Sequence, residues 1–402
     1  MPKKTNNVIG NAEYIRRMNR SLIVKTIMDK KSISRSELEV ETSLTLPTIM
    51  RIVSILIEEG LVIEVGKGDS SGGRKPIMLE LNPNKMYFIG VSVQRMMCVV
   101  VTDISGNIIS SYKCFTKVNA VPGTVRKQIL EGIETVISQS NIERSKIKYI
   151  GIGIPGTKFK HKASVNFPFE VWADFELRQW QEPGMFPFPV VFENVAKLGA
   201  LGELMFGSKK NCRDFIYIFA DYGIGAGIVI DGKLFRGSSG VACEFGHTIV
   251  EMNGEVCYCG SEGCLEMYCS TGAIVKRFLN DEKATASLKE SLIQELDFSL
   301  LVDAAYKGDE TALWHIRQSA HALGIGLSGL INLFNPSHVI IGGELAESCV
   351  DYTEIVACTA KGNIFRSDAA SVDILASSMK DDTSVKGAVA LAMAQVFEHY
   401  QF

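Results

Sequence analysis

No apolar run in this chain of 402 residues reaches the length needed to cross a membrane. The opening Met1-Pro2-Lys3-Lys4 is polar where a secretory leader would be hydrophobic. Both absences predict a cytoplasmic protein with no membrane insertion, and a reducing compartment argues against disulfides. A large net charge is also missing: the formal total is −3. That small total hides an uneven spread. Residues 1–85 carry 14 Lys and Arg against 10 Asp and Glu, a net of +4, which leaves −7 for the remainder. A basic N-terminal unit on an acidic body points to a polyanionic partner at that end. The length predicts two or three domains.

Cysteine is what the chain does have. Ten are present, and scattered cysteines are usually small buried hydrophobes. The run Cys257-Tyr-Cys259-Gly-Ser-Glu-Gly-Cys264-Leu-Glu266, preceded by Glu244-Phe-Gly-His247, is different. Gly260 and Gly263 let the backbone turn tightly around one point. One histidine and three cysteines make a tetrahedral ligand set, so His247, Cys257, Cys259 and Cys264 are expected to hold a structural Zn2+, with metal-free thiols as the alternative. Glu244 and Glu266 bracket the set and are expected to meet a ligand rather than only solvent.

The N-terminal unit reads as three helices and a hairpin. Ile15, Met18, Leu22, Ile23 and Ile27 recur at helical spacing. Ser34 with Glu37 is a start signal for a second helix. A third should begin near Thr45, tolerate Pro47 in its first turn and stop at Gly60. Strands over 61–65 and 77–81 follow, joined by a Gly-rich loop. This is the order of a winged helix-turn-helix, whose last helix enters the major groove of double-stranded operator DNA. Thr45, Leu46, Thr48 and Arg51 would then face base edges. Lys67, Arg74 and Lys75 on the wing would meet phosphate or the minor groove, and Arg16, Arg17 and Arg20 could add phosphate contacts. A helical protein-interaction domain is the competing reading.

Beyond Asn82-Pro83-Asn84-Lys85, read as a linker, strands and helices alternate. Antiparallel strands over 87–93, 97–103 and 108–114, a helix over 121–139 and strands at 148–154 and 189–192 lead into a helix over 194–206. Strands at 215–220 and 226–230 come next. Helices dominate 263–334, broken by a polar stretch near 281–297, and 385–397 closes the chain as a helix. Two α/β units with a crevice between them fit this order. Gly156, Gly223, Gly225, Gly227, Gly342 and Gly343 are expected to face that crevice.

With these motifs in place, the chain resembles the ROK family of sugar kinases and sugar-responsive repressors over nearly its whole length. The Glu-x-Gly-His and Cys-x-Cys-Gly-x-x-Gly-Cys-x-Glu elements carry the resemblance. Asn335-Pro336 before Ile340-Ile341-Gly342-Gly343 adds to it, and Gly-Gly-Arg-Lys-Pro at 72–76 resembles the repressor branch. The resemblance implies an actin-like, hexokinase-like α/β body of two lobes behind the winged helix-turn-helix. The expected division is 1–82 for DNA binding, 83–195 for a smaller lobe completed by 381–402, and 196–380 for a larger lobe with the zinc site. It also implies that Asn194, Glu244, His247 and Glu266 bind sugar hydroxyls, His247 using one ring nitrogen for zinc and the other for sugar.

Three departures from the kinase pattern predict that phosphoryl transfer is lost and that the chain is not an enzyme. Val195 stands where family kinases place an Asp general base. Ser92-Val-Gln94-Arg95-Met96 replaces the Asp-x-Gly-Gly-Thr phosphate cradle, and Gly223-Ile224-Gly225 replaces Gly-Thr-Gly. The apolar Val195 slightly favours a pentose over a hexose as effector, a logic that resembles xylose repressors in the family. The expectation is a repressor of sugar-use genes, bound to a palindromic operator as a homodimer or within a homotetramer. A ROK sugar kinase and a repressor controlled by a transporter protein are the alternatives.

Overall fold

The computed structural model describes residues 12–67, 75–117, 123–156, 179–208, 212–295, 297–349, 351–365 and 371–397. The N-terminal unit opens with helix α1 (Ala12–Lys30), a two-residue strand β1 (Ile33–Ser34) and helix α2 (Arg35–Thr42). Ser34 caps α2 through its hydroxyl, which accepts from Glu37 N at 3.2 Å, and Glu37 Oε2 accepts from Ser34 N at 2.8 Å. This is the reciprocal cap expected from the sequence. The same bonds hold the Glu37 carboxyl below its ordinary range. Helix α3 (Leu46–Glu58) starts after Thr45, and the axes of α2 and α3 differ by 118°.

Strands β2 (Val62–Lys67) and β3 (Ile77–Leu81) form a hairpin. Strand β1 was not legible as a strand, yet it pairs with β3 to give a sheet ordered β1-β3-β2. Ile23, Ile27, Leu38, Ile49, Val53, Leu56 and Leu79 fill the space between helices and sheet.

The body holds two five-stranded sheets. The first contains β4 (Tyr87–Ser92), β5 (Met96–Asp103), β6 (Ile108–Phe115), β7 (Ile147–Ile154) and β8 (Val190–Asn194) in the order β6-β5-β4-β7-β8. The second contains β9 (Phe215–Ala220), β10 (Ile224–Ile230), β11 (Lys233–Leu234), β12 (His338–Gly342) and β13 (Asp373–Ala376) in the order β11-β10-β9-β12-β13. Each sheet has three antiparallel strands followed by two parallel ones, so the same order occurs twice.

Helix α4 (Thr124–Ser140) covers the β5–β6 side of the first sheet, and helix α5 (Val195–Phe206) lies on β9 and β10 of the second. The remaining helices are α6 (Glu266–Cys269), α7 (Thr271–Asn280), α8 (Ala286–Glu295), α9 (Phe298–Tyr306), α10 (Glu310–Phe334), α11 (Glu344–Ser348), α12 (Tyr352–Gly362) and α13 (Thr383–Met393). Helix α8 occupies the polar stretch that reads as a break in the sequence. Leu292 is its buried anchor, Leu288 is partly buried beside it, and Ile293 is exposed.

Helix α13 joins the units. It rests on β4 and β7 of the first sheet and on α5. A β-carbon at Gly151 would overlap the Ala388 carbonyl, and one at Gly387 would overlap the Leu198 carbonyl, so backbones touch directly on both sides. Val385, Val389 and Met393 belong to the same apolar cluster as the N-terminal core. No single helix among the described residues is long and apolar enough to cross a membrane.

Candidate functional site: an interlobe cleft beside a Cys3His cluster

The cleft opens where strands of both sheets end. Asn194, at the end of β8, caps α5: its Oδ1 accepts from Ala196 N at 2.9 Å and Lys197 N at 3.3 Å. Its Nδ2 donates to Gly156 O at 3.2 Å, which leaves one amide hydrogen for a ligand. Glu244, His247 and Glu266 line the same cavity of about 110 Å³, together with Arg95, Lys197 and Tyr258. The four expected sugar-contact residues therefore come together. Glu244 is exposed, whereas Glu266 is only 5 % exposed.

Glu266 is the most constrained group in the cleft. Its Oε2 accepts from Ile224 N at 2.7 Å, while its buried Oε1 has no hydrogen-bond partner. Burial pushes its carboxyl above the ordinary range, against the stabilising Tyr258 phenol and Ile224 N–H. A buried acceptor without a donor is costly.

His247, Cys257, Cys259 and Cys264 present four donor atoms within 4.8 Å of one another. Cys257 Sγ is 3.6 Å from His247 Nδ1, and Cys259 Sγ is 3.6 Å from Cys264 Sγ. Those sulfurs are too far apart for a disulfide, but close to the ~3.8 Å edge of a tetrahedron with ~2.3 Å metal–sulfur bonds. All ten cysteines are free thiols. Gly260 and Gly263, at φ +93° and +74°, form the turns that bring Cys264 back to Cys257 and Cys259. The cluster could hold a metal ion. His247 Nδ1 faces it, and Nε2 faces outward, 3.4 Å from Tyr258 Oη.

Several cleft residues escaped sequence reasoning. Tyr258, inside the Cys-x-Cys element, stacks edge-on against His247 at 5.3 Å between ring centroids. Lys197 is 2 % exposed and donates from Nζ to Gly240 O at 2.7 Å, and burial lowers its pKa. Its signal was position, one turn into the helix that Asn194 caps. Arg95 reaches across the cleft to Asp297 at 3.2 Å, which holds its guanidinium in place. Glu193 and Arg236 form a second ion pair between the lobes.

Of the glycines, Gly156, Gly223 and Gly225 line the cleft, and Gly343 lines an adjoining cavity of about 370 Å³. Gly227 and Gly342 do not. They admit Ala200 and the Tyr217 ring against the second sheet, so close packing explains them.

Val195 is 4 % exposed and offers no proton acceptor at the head of α5. At the other turn, Asp221 fills the space among backbone donors: Oδ1 accepts from Tyr222 N at 2.6 Å and Oδ2 from Glu344 N at 3.1 Å. A carboxylate already seated on those N–H groups repels phosphate there. This position adds to the three departures found in the sequence.

In the N-terminal unit, Thr45, Leu46 and Arg51 are exposed at the start of α3 and Thr48 is half-buried. The Thr45 and Thr48 hydroxyls lie 3.0 Å apart and bond each other. Lys75 is exposed, Lys67 ends β2, and Arg74 lies outside the described residues. Arg20 forms a two-pronged, exposed ion pair with Glu59, Nη1 bonding Oε1 at 2.7 Å, which lowers the Glu59 pKa.

Comparison with known proteins agrees with this architecture. The xylose repressor of Bacillus spizizenii is 32% identical over 98% of this chain and 98% of its own length. A ROK family transcriptional regulator described as a homolog of the E. coli MLC protein superposes with a TM-score of 0.74 at 23% identity, covering 96% of this chain and 98% of that one. A ROK glucokinase from Streptomyces griseus, solved with glucose and AMPPNP, gives 0.63 at 29% identity, covering 76% of this chain and 99% of its own. The two repeated sheets are thus the lobes of an actin-like α/β body. With residues 90–395 matching the family profile as well, the chain belongs to the ROK family.

Proposed function

We propose that the protein is a sugar-responsive transcriptional repressor that no longer transfers phosphate. The observation that carries this reading is the buried Oε1 of Glu266, without a hydrogen-bond partner, in a cleft where the apolar Val195 stands at the head of α5. A carboxylate with one free acceptor, an outward imidazole nitrogen and one spare amide hydrogen on Asn194 are the groups that fix sugar hydroxyls. The Cys3His cluster supports a structural zinc ion, whose role is to fix the His247 ring and the loop leading to Glu266. Val195 gives the cleft an apolar wall, which suits a pentose, and the similarity to a xylose repressor agrees with that preference.

Residues 1–82 act as a winged helix-turn-helix. The 118° between α2 and α3 falls within the ~90–120° of that motif. Thr45, Leu46, Thr48 and Arg51 lie at the start of α3, where base edges are read. Lys67, Arg74 and Lys75 on the wing serve phosphate contact. Residues 83–195 with 381–402 form one lobe and 196–380 the other. The repressor binds a palindromic operator as a dimer, and sugar closes the cleft and moves the two readers out of register.

Binding to DNA from upstream of its own gene, titrated with pentoses, hexoses and amino sugars, tests the reading. A sugar that releases the DNA is the expected result. Tight DNA binding indifferent to every sugar would overturn the sugar-responsive part and favour a protein effector. ATP-dependent sugar phosphorylation would overturn the loss of phosphoryl transfer.

A further inference from the structure

A second chemical constellation lies at the far end of the second sheet. The cleft uses the C-terminal end of β9, whereas this group sits at the N-terminal ends of β9 and β12, where His338 of β12 pairs in register with Asp373 of β13 and Phe215 of β9. Cys212 Sγ is 3.5 Å from His338 Nδ1, and Asp373 Oδ2 is 3.5 Å from His338 Nε2. The three groups line up through the imidazole, sulfur at one nitrogen and carboxylate at the other. They do not converge on a point as metal ligands would.

Ser337 decides which way the protons run. Its hydroxyl donates its one hydrogen to Asp214 O at 2.6 Å. Toward His338 Nδ1, 2.9 Å away, Ser337 Oγ can therefore only accept. Nδ1 must carry the hydrogen, and that N–H also faces Cys212 Sγ. Sulfur at this position meets a donor. Because Nδ1 carries a hydrogen, Asp373 can hold the ring only through a hydrogen on Nε2 as well, so the relay acts from the doubly protonated imidazole.

We propose that Cys212 is a peroxide-reactive cysteine, activated by His338 and oriented through Asp373. The substrate class is a small hydroperoxide. The Cys212 sulfur attacks the distal peroxide oxygen, the S–O bond forms and the O–O bond breaks. The thiol's own proton has passed to the His338 ring; the electron pair leaves with the remaining oxygen, that oxygen takes the proton from Nδ1, and the ring is left neutral with its Nε2–H on Asp373. The cysteine is oxidised by two electrons to the sulfenic acid, and the hydroperoxide is reduced to an alcohol or water. Cys212 is half-buried, so exposure alone does not favour it over the exposed Cys358.

The test treats the full-length protein with hydrogen peroxide at neutral pH in the presence of dimedone, and follows the adducts on the Cys212 and Cys358 peptides by mass spectrometry. The expected result is labelling of Cys212 at least about tenfold faster than Cys358, because Cys212 has an imidazole beside its sulfur to protonate the leaving oxygen. Slowing of Cys212 in His338→Gln or in Asp373→Asn supports the relay, and the second variant changes an exposed side chain that the fold tolerates. Equal labelling of the two cysteines, or a Cys212 rate unchanged in both variants, would overturn the assignment.

Discussion

Replacing Glu266 by Gln separates a binding role from a structural one, because the two oxygens of this side chain do different things. Oε2 accepts from Ile224 N at 2.7 Å, and the carboxamide oxygen of Gln can keep that bond. Oε1 is buried without a partner, and there Gln places an uncharged NH2. Burial pushes the Glu266 carboxyl above its ordinary range, so its charge is costly in the fold, and removing that charge should make the sugar-free protein more stable, not less. The sugar-bound state moves the other way. A hydroxyl that donates to the carboxylate contributes about 1.5–3 kcal/mol, against about 0.5–1.5 kcal/mol for the neutral bond it can make to Gln by turning to accept. The difference of about 1–1.5 kcal/mol raises the sugar midpoint roughly five- to tenfold. Glu266→Leu, which offers no partner, should raise it by roughly 10- to 150-fold. The assay is release of a fluorescent operator by sugar, followed by anisotropy, beside thermal unfolding without sugar. A Glu266→Gln variant with an unchanged sugar midpoint and lowered stability would refute the reasoning and make Glu266 a structural tie between α6 and β10.

Cys259→Ser should lose its bound metal and respond poorly to sugar, because the loop leading to Glu266 is no longer held; a full metal equivalent by elemental analysis would remove the zinc assignment. Arg51→Ala should relax operator discrimination, whereas Lys75→Ala should weaken specific and random DNA alike and lower the slope of log affinity against log salt by about one; an unchanged slope would take Lys75 away from the phosphates. Val195→Asp restores only the missing base, with Asp221 still seated on the phosphate-side donors, so no transfer from ATP to sugar is expected in a coupled assay, and turnover would show that the base alone was lacking. Gly387→Ala forces a β-carbon into the Leu198 carbonyl and should cost about 1–3 kcal/mol by overpacking, read as a lower unfolding midpoint; an unaltered midpoint would mean that α5 and α13 separate freely.

What could be read from the sequence was what local chemistry determines. Ser34 and Glu37 bond each other within one turn, so the start of α2 was legible, and so was the Cys3His cluster, whose ligands lie within 18 positions of one another. Strand β1 was not, because two residues carry no alternation and their pairing with β3 is 44 or more positions away. Helix α8 was missed because Leu292 is its single fully buried anchor and the rest reads as loop. Lys197 and Tyr258 became visible as cleft residues only when β8, β10 and the cysteine loop met. The ion pair between Arg95 and Asp297 spans 202 positions, and no local pattern announces it. The Arg20–Glu59 ion pair likewise joins positions 39 apart, and no local pattern announces it.

The same packing suggests how a signal leaves the cleft. Asn194 is at once a cleft residue and the cap of α5, so a ligand that pulls on its amide acts on the first turn of that helix. Helix α5 meets α13 with backbones in contact, at Gly202 against Thr383 and at Leu198 against Gly387. Small residues there leave no flexible side chains to absorb a shift, so the two helices move together or not at all. Helix α13 in turn shares Val385, Val389 and Met393 with the core that contains Ile23, Leu38 and Leu56 of the DNA-reading unit. Two ion pairs, Arg95 with Asp297 and Glu193 with Arg236, cross between the lobes, and both must adjust if the cleft changes width. A hundredfold loss of operator affinity requires about 3 kcal/mol of coupling. The hydroxyl bonds at Glu266 supply that only if they form in one lobe arrangement and not the other, because a ligand held equally well by both shifts nothing. Under the proposed function the unpartnered oxygen therefore matters in two ways: it would bind the sugar, and its geometry relative to Asn194 in the other lobe would make the binding depend on how far the cleft has closed.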